Sequence, residues 1–260
     1  MNPLYKLGLF LRSAVAQKNL NLRGLPLFPK SMWPGAPHNR TAYNEFVLWI
    51  QKLHLPAAGW VVDVGANHGD FSQAASSLYP KSRALLVEPL PGLRRELERR
   101  CRHNAPRWYL AACALGSEIG TAKFYASSAR DTSGSLAGFS GDYLKATALD
   151  SAQQTFDCSV RTLDDLCAEH GIGEIDILKI DVEGFEFETL AGATVMLPKT
   201  KGLILEISLV RRGAEDNLGL AEMLSKLAKA GFHLLEVQPS LFAASEKWRP
   251  VEFNLLARRS

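Results

Sequence analysis

Cysteine is scarce in this 260-residue chain: Cys101, Cys113, Cys158 and Cys167 lie far apart and form no C-x-x-C pair. That spacing indicates neither a zinc site nor a disulfide framework, and no other metal site is expected; reduced thiols in a cytoplasmic protein fit best. Long apolar runs are also lacking, and none approaches the roughly 20 residues that span a bilayer. Near the start, Lys6 precedes an apolar stretch from Leu7 to Leu11, but Arg12 ends it short of a signal-peptide core. Charge of one sign is not in excess. Thirty basic against twenty-seven acidic side chains give a net +3, too slight to imply a nucleic-acid partner. One glycine is missing as well: position 67, where a dinucleotide-binding G-x-G-x-x-G needs its second, is Asn67, which weakens any phosphate cradle.

What is present is the composition of an ordinary globular protein, 47% hydrophobic and 22% charged, long enough for one sizeable core. The stretch from Trp60 to Phe71 joins a buried-strand pattern to a glycine turn and a helix start. Its apolar run ends in Asp63, and Gly65 and Gly69 follow at a spacing that lets the backbone turn sharply and approach a ligand. In an open α/β sheet ligands bind beyond the carboxyl ends of strands, which puts Asp63 at the mouth of a site.

Ahead of this anchor, Leu4, Leu7, Leu11 and Val15 recur at helical spacing, an amphipathic pattern. Its face can dock on the core, on a second subunit or on a membrane surface; protein is preferred, because three cations are few for membrane adhesion, and peripheral contact is left open. Pro26, Pro29, Pro34 and Pro37 make 25–37 a linker or flap, and 41–53 reads as a helix beside the first strand, helping to wall the site. Residues 1–56 are therefore expected to be a helical and proline-rich extension, and 57–260 the main domain.

Beyond the anchor, a helix over 71–78 leads to a second apolar strand, 83–87, that delivers Glu88 to the same edge. Its distance past the glycine turn is that of a ribose-binding acid, since a carboxylate can accept both hydrogen bonds of a diol. The arginine-rich helix 93–104 reads as a solvated face. A third strand follows over 108–112, a turn at Ala114-Leu115-Gly116, a short strand at 122–125, and then a serine- and glycine-rich stretch to Asp157 that is expected to be a loop on the substrate side. Cys158 to Thr162 is strand-like, with a short helix after it.

Residues 174–186 form the second anchor. Ile175, Ile177, Leu178 and Ile180 make a strand buried on both faces, with Asp181 at its carboxyl end and Glu183-Gly184 opening a turn into a helix. A strand at 202–207 carries Glu206. Four strand ends thus bring Asp63, Glu88, Asp181 and Glu206 towards one edge. Such clustering of acids is costly unless something positive sits among them, and a sulfonium ligand is one candidate.

D-V-G-A-N-x-G at Asp63 to Gly69, with L-K-I-D-V-E-G-F-E at Leu178 to Glu186, resembles the FkbM family of S-adenosylmethionine-dependent methyltransferases over roughly residues 57–210. The resemblance implies an α/β, Rossmann-like class I methyltransferase fold: a mostly parallel seven-stranded sheet, helices on both faces, and an antiparallel C-terminal hairpin, here 232–237 with 251–257. By position it also implies that Asp63, Gly65 and Asn67 line the methionine end of S-adenosylmethionine, with Gly69 allowing close helix packing. Glu88 is then the ribose ligand, Ala114 and Leu115 border adenine, and Asp181 lies near the sulfonium.

Methyl transfer to oxygen needs alignment, desolvation and a base, and the expected base is Asp181 or Glu206, with Glu183 as a further candidate. The nucleobase-modifying motif N-P-P-Y is absent after the fourth strand, favouring a hydroxyl acceptor: by what the family implies, a small molecule, a glycan or a lipid-linked sugar. Two alternatives stay open, an NAD-dependent oxidoreductase and a non-catalytic cofactor-binding scaffold.

Overall fold

The computed structural model describes residues 37–127, 134–136, 153–208, 217–243 and 249–259. The amphipathic pattern near the start, nearly all of the proline stretch and most of the serine- and glycine-rich stretch lie outside them. In chain order the elements are α1 (Arg40–Lys52), β1 (Trp60–Val64), α2 (Asp70–Leu78), β2 (Arg83–Val87), α3 (Pro91–His103), β3 (Trp108–Ala111), β4 (Ala114–Leu115), β5 (Gly120–Ser127), β6 (Gly134–Ser135) and β7 (Gln153–Arg161). Then come α4 (Leu163–Glu169), β8 (Ile175–Ile180), α5 (Glu186–Ala191), β9 (Thr200–Ser208), α6 (Asn217–Lys229), β10 (Phe232–Ala243) and β11 (Arg249–Arg259).

Seven strands form the main sheet in the order β3-β2-β1-β8-β9-β11-β10. Pairing is parallel from β3 to β9, and β11 with β10 closes the sheet antiparallel. This is the class I methyltransferase arrangement. Every residue of β1 and β8 is buried, as befits strands covered on both faces. Val62, Val64, Leu178 and Ile180 meet α4, α5 and α6 on one side; Val61, Leu86 and Ile177 meet α1, α2 and α3 on the other. Each fully buried Leu, Ile or Val contributes about 1.5–3 kcal/mol against leaving it exposed. Asp176 fixes where β1 enters beside β8, accepting hydrogen bonds from Gly59 N (2.6 Å) and Trp60 N (2.8 Å).

The start of α1 is capped by Asn39, whose side chain accepts from Thr41 N and Ala42 N, as a favoured N-cap residue does. That entry is held to α2 by Asp70, which accepts from His38 N (2.9 Å) and Asn39 N (2.7 Å). Arg100 is only 4% exposed, beside Asp70 at 3.6 Å and Glu96 at 3.1 Å. It departs from the expected solvated face of α3, because a guanidinium can be buried where carboxylates pair with it; Arg94, Arg95, Arg99 and Arg102 are exposed as expected.

A second sheet, β4-β7-β5-β6, extends the strands expected at 122–125 and 158–162 and pairs them, which the sequence did not indicate. Ala114-Leu115, expected as a turn, is a short strand beside Val160-Arg161. Part of the expected loop belongs to β5 and β7, which pair from Gly120↔Val160 to Ser127↔Gln153. Few positions signal these strands: Phe124, Cys158 and Val160 are buried while their polar neighbours are not, so the alternation is weak.

Candidate active site

The turn after β1 is built on glycine. Gly65 has φ +71°, and a Cβ there would lie 1.8 Å from the Asp181 carbonyl oxygen. Only glycine tolerates both the left-handed backbone and this approach. Gly65 N and Ala66 N donate to Val87 O at 3.0 Å, Asn67 follows at φ 50°, and Gly69 starts α2 at φ 78°.

These turns hold a cleft where β1, β2, β4 and β8 end. Its walls include Gly65, Asn67, Glu88, Ala114, Leu115, Asp181 and Glu183, with Phe124, Leu136 and Phe185. About 580 Å³ of space lies within it, counting what is open to solvent. Residues of α1 are not among those walls; that helix packs on the α2 side through Tyr43 and Ile50.

Glu88 is buried at the tip of β2. One carboxylate oxygen accepts from Asn67 N (2.8 Å), the other from Leu90 N (2.9 Å). Burial pushes its carboxyl up to about 7, against the pull of those two donors. A carboxylate has about four lone-pair sites, so two remain after these contacts to receive a diol.

Asp63 does not line the cleft. It is fully buried beneath the turn, where one oxygen accepts from Ser72 Oγ (2.7 Å) and Ser72 N (3.2 Å). Its alternation places it on the inner face with Val61, towards α2, and burial raises its proton affinity. Gly69 is also away from the walls and packs on Leu86 and Leu97. Glu206, one strand over, stands behind Asp181: the two carboxyls share a hydrogen bond, and burial followed by the nearby Asp181 raises Glu206 well above the ordinary carboxyl value.

The positive charge among these acids is the protein's own. Lys179 lies directly opposite Asp63 in the β1–β8 register and is 5% exposed. Its ammonium donates to Gly65 O (2.8 Å) and sits 3.1 Å from Asp181 and 3.6 Å from Asp63. Burial alone would lower its proton affinity, but the carboxylates of Asp181 and Asp63 outweigh that and raise it. The protein itself therefore supplies positive charge to Asp63 and Asp181, a source that the acids alone did not indicate. A signal was available: a lone lysine inside the otherwise apolar run of Ile177, Leu178 and Ile180 needs buried partners.

S-adenosylmethionine fits the groups present. Glu88 offers acceptors to a ribose diol, Leu90, Cys113, Ala114, Leu115 and Phe124 offer an apolar wall, and no Lys or Arg is among the described lining residues to hold the pyrophosphate of a dinucleotide. Fold and site define an S-adenosylmethionine-dependent methyltransferase. The family model described as "Methyltransferase FkbM domain" matches residues 63–234, and the chain belongs to that family.

Three relatives extend the picture. The AMB antimetabolite synthetase AmbE of Pseudomonas aeruginosa is 30% identical over a 260-residue alignment, covering 85% of this chain but 12% of that protein. The 31-O-demethyl-FK506 methyltransferase FkbM of Streptomyces tacrolimicus is 31% identical, with 72% of this chain and 77% of the relative covered. The 2-O-methyltransferase NoeI of Sinorhizobium fredii is 29% identical over 57% of this chain and 63% of the relative. The chain thus spans a small part of AmbE and under two thirds of NoeI. No helix among the described residues is long and apolar enough to cross a membrane.

Proposed function

We propose that this chain transfers a methyl group to a hydroxyl oxygen on a sugar, glycolipid or secondary metabolite in the cytoplasm, with residues 57–260 as the methyltransferase unit and no nucleic-acid partner. The observation that carries the reading is Asp181, a carboxylate on the cleft wall backed by Glu206 through a shared hydrogen bond. The names of two relatives support oxygen as the acceptor: one is a 2-O-methyltransferase and the other acts on a 31-O-demethyl compound.

In this reading Glu88 holds the ribose, the backbone around Gly65 and Asn67 borders the methionine end, and Ala114 and Leu115 border the adenine. When bound, the cofactor supplies a methyl group on a positively charged sulfur that departs as a neutral thioether. The protein's part is alignment, exclusion of water and a base. The acceptor hydroxyl gives its proton to the Asp181–Glu206 pair, and Glu183, at φ 58° in the turn, stands beside the same wall as the further candidate.

Incubating the protein with methyl-labelled S-adenosylmethionine and fractionated lysate tests this. Label in a small-molecule, glycan or lipid fraction, stable to alkali as an ether, is expected. Label confined to protein or nucleic acid, or as alkali-labile ester, would refute the hydroxyl assignment.

A further inference from the structure

Lys179 has three N–H donors and faces three acceptors: the Gly65 carbonyl, Asp181 and Asp63. It therefore joins the glycine turn that borders the cleft to the carboxylate on the cleft wall. Asp181 and Glu206 stand on adjacent parallel strands, following the paired residues Ile180 and Leu205, close enough to share a hydrogen bond. A hydrogen bond between two carboxyls needs one proton, because two like charges at that separation cannot both be ionised.

Charge around the pair decides which member keeps it. Asp181 has the Lys179 ammonium at 3.1 Å. Glu206 is faced by Asp181 just past β8, Glu183 in the turn after it and Glu252 on β11, and it feels the Lys179 ammonium less than Asp181 does. Asp63 on β1 and Glu88 just past β2 complete the set of charged groups around the lysine.

We propose that Lys179 is a positioning residue that keeps Asp181 as the ionised member of the pair, leaves the shared proton on Glu206, and thereby makes Asp181 the base. This rests on the reading of the cleft as a methyltransferase site with an Asp181–Glu206 base. Glu206 then donates its hydrogen bond to Asp181 and aims the remaining lone pairs of Asp181 at the cleft. Taking the acceptor proton leaves the pair with two protons, one on each carboxyl, and release of one to water restores the starting state.

The test is carbon NMR of the full chain with side-chain carboxyls of Asp and Glu labelled, recorded near pH 7 with S-adenosylhomocysteine present. Asp181→Asn and Glu206→Gln assign the two signals. Glu206 is expected at the protonated position and Asp181 at the ionised one. Lys179→Arg should preserve this pattern. Asp63→Asn/Lys179→Gln, which removes the lysine without leaving Asp63 as an unpaired buried charge, should move Asp181 towards the protonated position and lose the separate protonated Glu206 signal. An ionised Glu206 in the wild-type protein overturns the proposal even if no lysine variant folds, and so does an Asp181 signal that ignores the double substitution. A merely structural lysine predicts lower stability with the two signals unmoved. Failure of S-adenosylhomocysteine to bind would count against the cleft reading itself, which the same samples report separately.

Discussion

Cofactor binding should depend on pH through Glu88. The carboxyl sits at the wall of the cleft, and burial raises it from an ordinary 4.5 to about 7. A ribose diol donates hydrogen bonds and so favours the ionised form. If only that form binds, the apparent Kd for S-adenosylhomocysteine is divided by the ionised fraction. Binding is then within about twofold of its limit at pH 7, about tenfold weaker at pH 6 and about 100-fold weaker at pH 5, or roughly 2.7 kcal/mol. Ligand-free stability should run the other way. The folded carboxyl holds its proton to about 7 while the unfolded one releases it near 4.5, so stability falls as pH rises through that window, by at most about 3.4 kcal/mol. Isothermal titration calorimetry from pH 5 to 8, in buffers of different ionisation enthalpy, reads both the affinity and the proton released near pH 6. Glu88→Gln should bind weakly and flatten the profile. A wild-type Kd that is constant over this range, with no proton release, would refute the assignment of Glu88 to the ribose.

Other substitutions probe the frame around the cleft. Gly65→Ala should lose about 1–2 kcal/mol to the left-handed backbone alone, with the clash against Asp181 O added, so urea denaturation should show a clear loss and the cofactor Kd should rise more than tenfold. Asp70→Ala strips acceptors from His38 N and Asn39 N and removes one partner of buried Arg100; a loss of about 3 kcal/mol with an unchanged m-value is expected. Asp176→Ala leaves Gly59 N and Trp60 N without their acceptor, and about 2 kcal/mol should disappear from the same urea curve. Burial pushes the Cys113 thiol up to about 12, so only about one molecule in 10,000 carries its thiolate at pH 8; mass spectrometry after iodoacetamide should find Cys113 unmodified until the protein is unfolded.

The main sheet could be read from sequence because each of its central strands carries its own signal. β1 and β8 are mostly apolar, each has a carboxylate at or just past its carboxyl end, Asp63 and Asp181, and each leads into a glycine turn, so type, boundary and sheet edge followed from local pattern. The small sheet could be read only in part, as short strands at 122–125 and 158–162 without their pairing. Its strands are defined by partners far along the chain, such as Lys123 with Asp157, and the alternation within each is diluted by polar residues. For the site, the pattern located the strand tips but not the direction of each side chain. Asp63 and Glu88 end neighbouring strands, yet Asp63 turns under the glycine loop to Ser72 while Glu88 faces the cleft. In the β1–β2 register Asp63 stands opposite Leu86, two residues short of Glu88, so it lies deeper beneath the glycine turn while Glu88 stands past the end of its strand. Lys179 belongs to no carboxylate pattern, and its signal is charge balance: a buried acid in a covered strand requires a partner.

The most direct test of the account is a crystal structure of the full chain with S-adenosylhomocysteine. The ribose hydroxyls are expected on Glu88, the adenine against Ala114 and Leu115, and the sulfur within reach of Asp181 above the Gly65 turn. Ligand bound elsewhere, or bound with Glu88 turned away from the ribose, would contradict it.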